Sequence, residues 1–287
     1  MTETAKASTT SAPAVIELCN AVVRFGASTA IDDISVRVGA QGRRGEFIAI
    51  LGPSGCGKST LLNLVAGFQS PSAGQVLVGG VPVDGPGRDR GMVFQQYSSF
   101  PHRTVRENVM FGLEVNGAEL GLSRSQRRER AHDLIQQVGL TGHEDKYPHQ
   151  LSGGQQQRVA IARTLALEPD ILLMDEAFSA LDEPTRLDMQ ELVVNLWHRA
   201  RPTILCVTHS VTEAVYLSER VWIFTKAPGQ IAYDIQDCIP PTAGIPPVVA
   251  QEQPAFKEGV RIVTEAFRKV IGAQSIEASP ATHRALR

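Results

Sequence analysis

The sequence predicts an α/β fold built on a parallel sheet with helices on both faces. Three observations carry that expectation. Apolar runs of strand length, such as Ile171–Met174 and Val221–Phe224, recur without polar alternation, as strands buried on both faces require. Segments with apolar residues at helical spacing separate these runs. A glycine-rich loop follows one strand directly and opens a helix, the layout expected at the ligand-binding edge of such a sheet.

The elements follow in order. Met1 to Ala14 is rich in Thr, Ser and Ala and lacks the apolar core of a secretory signal, so 1–14 is expected to be a disordered tail. Strands are expected at Ile16–Phe25, Ile34–Val38 and Glu46–Leu51, then a helix over Lys58–Ala66. Gln75–Val78 and Gly91–Phe94 read as further strands. From Thr104 to Leu167 the pattern turns helical, including Ser125–Val138 and Gly153–Ala166. Strands return at Asp170–Met174, Thr203–Val207 and Val221–Thr225, around a long helix over Pro184–Ala200. A helical block, about 96–165, is thus inserted into an α/β domain spanning 15–235. Pro240, Pro241, Pro246, Pro247 and Pro254 mark a linker within 236–287. One amphipathic segment, Phe256–Ile271, follows it and is expected to pack against the core.

Composition narrows the function classes. The 287 residues suffice for one large α/β domain. A net charge of -2 gives no reason to expect nucleic acid as a partner. No apolar stretch approaches the roughly 18 to 20 residues needed to cross a bilayer. Any action at a membrane therefore requires docking to another chain. Cys19, Cys56, Cys206 and Cys238 lie far apart and read as reduced thiols of the cytosol.

Gly52, Pro53, Ser54, Gly55, Cys56, Gly57, Lys58 and Ser59 match the pattern G-x-x-x-x-G-K-[ST] between a strand and a helix. The glycines allow successive N–H groups to turn inward as an anion nest, and the helix aims its positive end at the same point. Lys58 is expected to neutralise the β and γ phosphates, Ser59 to ligate Mg²⁺ and Thr60 to reach the α phosphate. Further on, four apolar residues deliver Asp175 and Glu176 at a strand's carboxyl end. Asp175 is a candidate Mg²⁺ ligand opposite Ser59, and Glu176 a candidate for polarising the attacking water.

Leu151, Ser152, Gly153, Gly154 and Gln155 open a helix with a good N-cap at Ser152 and two glycines beside it. Such a tip is a second anion site, although a glycine-softened helix start would also account for Ser152 and Gly153. With one triphosphate loop per chain, the economical reading is that this tip covers a γ phosphate held by another subunit.

With that turn the sequence resembles the ATP-binding cassette (ABC) family from about Val15 to Ile235. Leu151–Gln155 matches the signature motif. The resemblance implies a P-loop NTPase: a RecA-like core sheet, an inserted helical subdomain and an N-terminal antiparallel β region. It implies that Gln95 is the residue sensing Mg²⁺ and the attacking water, and coupling to the membrane partner. It further implies that Asp182, in Ser179–Asp182, belongs to a loop crossing a dimer interface, and that His209 contacts the γ phosphate. Phe25 stands where the family usually has an adenine-stacking tyrosine, and Ala177 where proline is common.

The implied activity is ATP hydrolysis with Mg²⁺ by a homodimer of cassettes, closing head to tail around two nucleotides. The motion passes through the helical block to transmembrane permease subunits, with Phe100–Arg103 where such contacts are made; a plain surface loop is the other reading. Arg124–Arg130 reads as a solvated helix face. The stretches Arg88–Gln95, Arg103–Val109, Trp222–Phe224 and Ala227–Ile231 look like the cassettes of nitrate, sulfonate and taurine importers. A solute-binding protein and the cytoplasmic face of the inner membrane are then expected. An export cassette would use the same motifs, and a non-transport ABC ATPase or a pure binding module remain as further alternatives.

Overall fold

The computed structural model describes residues 14–39, 45–96, 98–236 and 243–277. Residues 1–13 of the expected tail, Cys238, Pro240 and Pro241 lie outside the described residues; Ala14 is buried.

Strands β1 (Ile16–Phe25) and β2 (Ser28–Val38) form an antiparallel hairpin. The expected Ile34–Val38 is only the second half of β2. Asp33 sits at φ 51 and takes a 2.8 Å hydrogen bond from Asn20 across the hairpin, interrupting the alternation that a sequence reading relies on. Next come β3 (Phe47–Leu51), α1 (Lys58–Ala66), β4 (Ala73–Val78), β5 (Val81–Pro82) and β6 (Arg90–Val93). The order β2-β1-β4-β5 makes one antiparallel sheet.

The helical block holds α2 (Val105–Val115), α3 (Gly117–Leu120), α4 (Arg124–Gln137) and α5 (Gly153–Leu165). Capping boxes start α2 at Thr104, α4 at Ser123 and α5 at Ser152, each satisfying orphan N–H groups of a first turn. The chain then runs through β7 (Ile171–Asp175), α6 (Glu183–Ala200), β8 (Thr203–Val207), α7 (Val211–Leu217), β9 (Arg220–Phe224) and β10 (Ile231–Gln236). The last described elements are α8 (Pro247–Glu252) and α9 (Pro254–Glu277).

The second sheet has the order β10-β9-β3-β8-β7-β6, parallel throughout except for β10. Its two faces explain the uninterrupted apolar runs. Phe47, Ala49 and Leu51 of β3 enter one core with α2, α5 and α6, while Ile48 and Ile50 enter a second core beneath α1 and the antiparallel sheet. With period two and both faces covered, every position of the strand must be apolar. The first core also takes Phe256, Val263, Ala266 and Val270 of α9, so the C-terminal amphipathic segment packs on the domain. β5, β10, α7 and α8 are additions to the elements read from sequence.

Candidate nucleotide site

The loop from Gly52 to Ser59 joins β3 to α1 at the carboxyl edge of the parallel sheet. Gly55 and Gly57 take left-handed φ values of 74 and 95, open to glycine at little cost. A Cβ on Gly57 would also lie 2.7 Å from the Ala30 carbonyl oxygen, so the β1–β2 hairpin closes tightly over the loop. Lys58 is buried, and its Nζ donates to the carbonyls of Gly52 at 2.9 Å and Pro53 at 2.8 Å. That ammonium is held across the mouth of its own loop, ready for an anion.

Register carries the acidic strand to the same place. β7 and β8 run parallel with Asp175 opposite Val207. Ser59 Oγ donates to Asp175 Oδ1 at 3.0 Å, and His209 Nε2 lies 2.6 Å from Glu176 Oε1. Burial pushes the Asp175 carboxyl above its usual range, opposed by the Ser59 hydrogen bond. Two oxygen ligands, Ser59 and Asp175, suit Mg²⁺, which takes few protein ligands and keeps water and phosphate oxygens. Among the described residues no cluster of three or more His, Cys, Asp or Glu would hold a metal by itself.

A cleft of about 360 Å³ is lined by Phe25, Ser54, Gly55, Cys56, Gly57, Lys58, Ser59, Thr60, Glu176 and His209, with Ala30 behind. Phe25 is 54% exposed, so its ring face is free at the rim for a flat partner. A larger cavity, about 1030 Å³, opens at the other end of the sheet, beside Pro202 and Thr203 where β8 begins. It holds none of these groups, and ligands of open α/β sheets bind at the carboxyl ends of strands.

Gln95 is exposed just past β6, next to β7, and is not among the residues lining the cleft. Ser152 caps α5: its Oγ accepts from the Gln155 N–H at 3.3 Å, and Gln155 Oε1 accepts from the Ser152 N–H at 3.0 Å. The Gln155 amide is thereby turned to His143, 3.0 Å away. Gly154 is buried, and a Cβ there would lie 2.4 Å from Thr185 Cγ2. Its glycine thus has a packing reason of its own: the tip of α5 is pressed onto the start of α6. Asp182 caps α6, accepting from the Thr185 N–H at 3.4 Å, and hydrogen bonds from the Thr185 hydroxyl first and this N–H second lower its pKa.

Three polar residues that sequence reasoning passed over are built into this framework. Asn108 is fully buried, and its amide donates to the Phe100, Arg103 and Thr104 carbonyls at 3.2, 3.0 and 2.9 Å, fixing the Phe100–Arg103 loop. Glu213 is buried on α7, accepts from Gln190 at 2.9 Å and is hydrogen-bonded to Thr208, next to His209. Gln157, on the buried face of α5, donates to the Ala177 carbonyl at 2.8 Å.

Known proteins resemble this chain over most of its length. The family model described as ABC transporter matches residues 36–179. A nitrate import ATP-binding protein of Synechococcus elongatus is 46% identical over 203 residues, covering 71% of this chain and 72% of that protein. A taurine import ATP-binding protein of Yersinia pestis is 46% identical, covering 70% of this chain and 76% of that protein. Among solved structures, a dimeric ATP-binding cassette in a post-hydrolysis state, bound to ADP and Pi, superposes with a TM-score of 0.65. It is 32% identical and covers 77% of this chain and 98% of that one. The chain belongs to the ABC transporter family, as an ATP-binding subunit that hydrolyses ATP.

Proposed function

We propose that this chain powers an importer of small anions or organic solutes, of the nitrate, sulfonate and taurine kind, from the cytoplasmic face of the membrane. Its assigned partners are a second copy of itself, transmembrane permease subunits and a solute-binding protein. The importer assignment rests on the motif stretches around Arg88–Gln95 and Arg103–Val109 and on the names of the relatives. Among the described residues no helix is long and apolar enough to cross a membrane, so the transport path is assigned to other chains.

The observation that carries the chemistry is the convergence of Lys58, Ser59, Glu176 and His209 on one cleft, with Asp175 hydrogen-bonded to Ser59 beside it. Lys58 and the loop N–H groups bind the phosphates. Ser59 and Asp175, with Gln95 on closure, would hold Mg²⁺, which would supply positive charge beside the phosphates. Glu176 orients and polarises the attacking water, and His209 contacts the γ phosphate. The partner subunit's helix tip, equivalent to Ser152, Gly153, Gly154 and Gln155, covers the same phosphate, with Asp182 at the seam. Phe25 stacks the base. Loss of the bridging charge after hydrolysis lets the two copies part.

Replacing Lys58 by Ala is expected to abolish ATPase activity, and Glu176→Gln to reduce it about a hundredfold or more. Glu176→Gln should also run as a dimer on a sizing column with saturating Mg-ATP. A monomer under those conditions, with the membrane partner present, would overturn the closing mechanism.

A further inference from the structure

Glu176 sits in the left-handed region at φ 47. A residue with a Cβ resists that conformation, which persists only where its surroundings over-determine it. The surroundings are on view. The Glu176 N–H donates to the Val207 carbonyl at 3.1 Å, and the Glu176 carbonyl accepts from the Ser179 N–H at 3.1 Å and the Ser179 hydroxyl at 2.8 Å. One residue on, the Ala177 carbonyl accepts from Gln157 Nε2 at 2.8 Å. Val207 belongs to the neighbouring strand and Ser179 to the turn itself. Gln157 reaches in from α5, the helix that carries the signature turn at its tip.

Gln157 is a costly residue for its place. It is wholly buried, and its Oε1 has no partner among the described residues. An apolar side chain of the same size would avoid that unpaired oxygen but would leave the buried Ala177 carbonyl without this donor, so what the carboxamide supplies is its hold on that one carbonyl. Gly154, one turn earlier on the same helix, is pressed against Thr185 just beyond the turn. The loop from Glu176 to Asp182 is therefore gripped near both ends by α5.

We propose that Gln157 is a positioning residue. Its amide holds the Ala177 carbonyl and thereby keeps Glu176 in the left-handed turn that points its carboxylate at His209 and the phosphate loop. The contact links two half-sites within one chain: the signature turn that serves the partner's nucleotide and the glutamate that serves its own. This second statement rests on the head-to-tail reading above; the first does not.

The test is Gln157→Met, which keeps length and flexibility but has no donor, with Gln157→Leu as a second variant. Each is measured as the full chain for Mg-ATP hydrolysis, thermal unfolding and amide hydrogen exchange. The expected result is a kcat reduced about tenfold to a hundredfold with KM for ATP unchanged within about twofold. Exchange should quicken in peptides covering 174–181, while the rest of the chain exchanges as in the wild type and the melting temperature falls only by the few degrees that one orphaned carbonyl costs. A wild-type kcat, or unchanged exchange at 174–181, overturns the assignment. So does a lowered kcat joined by a raised KM and by quickened exchange throughout the chain, which marks a merely structural role. Glu176→Gln is the control: if it too leaves hydrolysis unchanged, the failure lies with the catalytic reading of Glu176, not with Gln157. Should either variant fail to fold, the Ser179→Ala chain reads the same turn from its exposed side. It should quicken exchange at 174–181, and no change there counts against the pinned turn.

Discussion

His209 Nε2 lies 2.6 Å from Glu176 Oε1, although 33 positions separate the two residues in the chain. The contact follows from the register of two neighbouring parallel strands, in which Asp175 stands opposite Val207. Each strand then delivers its next polar residues to the same edge. The glutamate backbone is left-handed and pinned by hydrogen bonds, while His209 is the more exposed partner and follows the end of its own strand by two residues. The anchored backbone thus sets where the carboxylate starts, and in the proposed mechanism the more exposed imidazole is the member that meets the phosphate.

His209→Ala should for that reason lower kcat by about a hundredfold, without weakening the binding of ATP measured by a fluorescent analogue. Glu176 keeps its backbone anchors in this variant, so its loop should exchange hydrogen as in the wild type. A large loss of nucleotide affinity would mean that His209 helps to build the phosphate site, not only to act within it.

Gly154→Ala tests the packing of the signature turn. The new Cβ would lie 2.4 Å from Thr185 Cγ2, so Thr185 must turn or α5 and α6 must move apart, at a cost of about 1 to 3 kcal/mol. Chemical denaturation should read that loss. Adding Thr185→Ser removes the clashing methyl and should recover most of it. If the single variant is as stable as the wild type, the tight approach of the two helices is not a feature of the protein in solution.

Much of this architecture is legible in the order of the residues alone. Strands β3, β7, β8 and β9 fall within a residue of their expected bounds, because burial on both faces forces continuous apolar runs. β10 escapes such a reading because it is an edge strand with mixed, half-exposed residues from Ile231 to Gln236. α8 escapes it because Pro246 and Pro247 read as linker, yet proline is at home in the first turn of a helix. The motif residues of the phosphate loop and acidic strand come together as their order suggests, and Gln95 stands apart from the cleft. Asn108, Gln157 and Glu213 stay hidden because their partners are backbone carbonyls or side chains supplied by tertiary packing. Gln157 does leave one sign: it shares a helical stripe with Gly154 and Ile161, a polar residue on a buried face.

Glu213 gives the chain a pH dependence of known sign. Burial raises its carboxyl above the ordinary value of 4.5, outweighing the hydrogen bonds from Thr208 and Gln190. Below that value both folded and unfolded chains carry the proton, and nothing is lost. As pH rises through it, the unfolded chain releases its proton while folded Glu213 keeps one, so stability falls until the folded carboxyl ionises too. Glu213→Gln removes that fall. Urea unfolding between about pH 4 and 8 should show a flatter profile for the variant. Asp175 and Glu219 are raised as well, but they are common to both proteins and cancel in the difference. A parallel pair of profiles would show that Glu213 is not held neutral by the fold.

The C-terminal helix supplies the last expectation. Phe256 is 5% exposed and joins Val263, Ala266 and Val270 in the core that contains Phe47, Leu51 and Met174. Tyr216 on α7 donates its hydroxyl to the Ile245 carbonyl at 2.9 Å, tying the approach to α8 against the domain. A helix attached in this way contributes to the same cooperative unit as the sheet. Phe256→Ala should then cost about 3 to 5 kcal/mol, the usual loss for emptying a buried aromatic site. It should shift a single unfolding transition, read by both far-ultraviolet circular dichroism and tryptophan fluorescence, since Trp197 and Trp222 are buried in the domain. A cost under about 1 kcal/mol, or a separate early transition for the helix, would mean that α9 docks loosely and lies outside the folding unit.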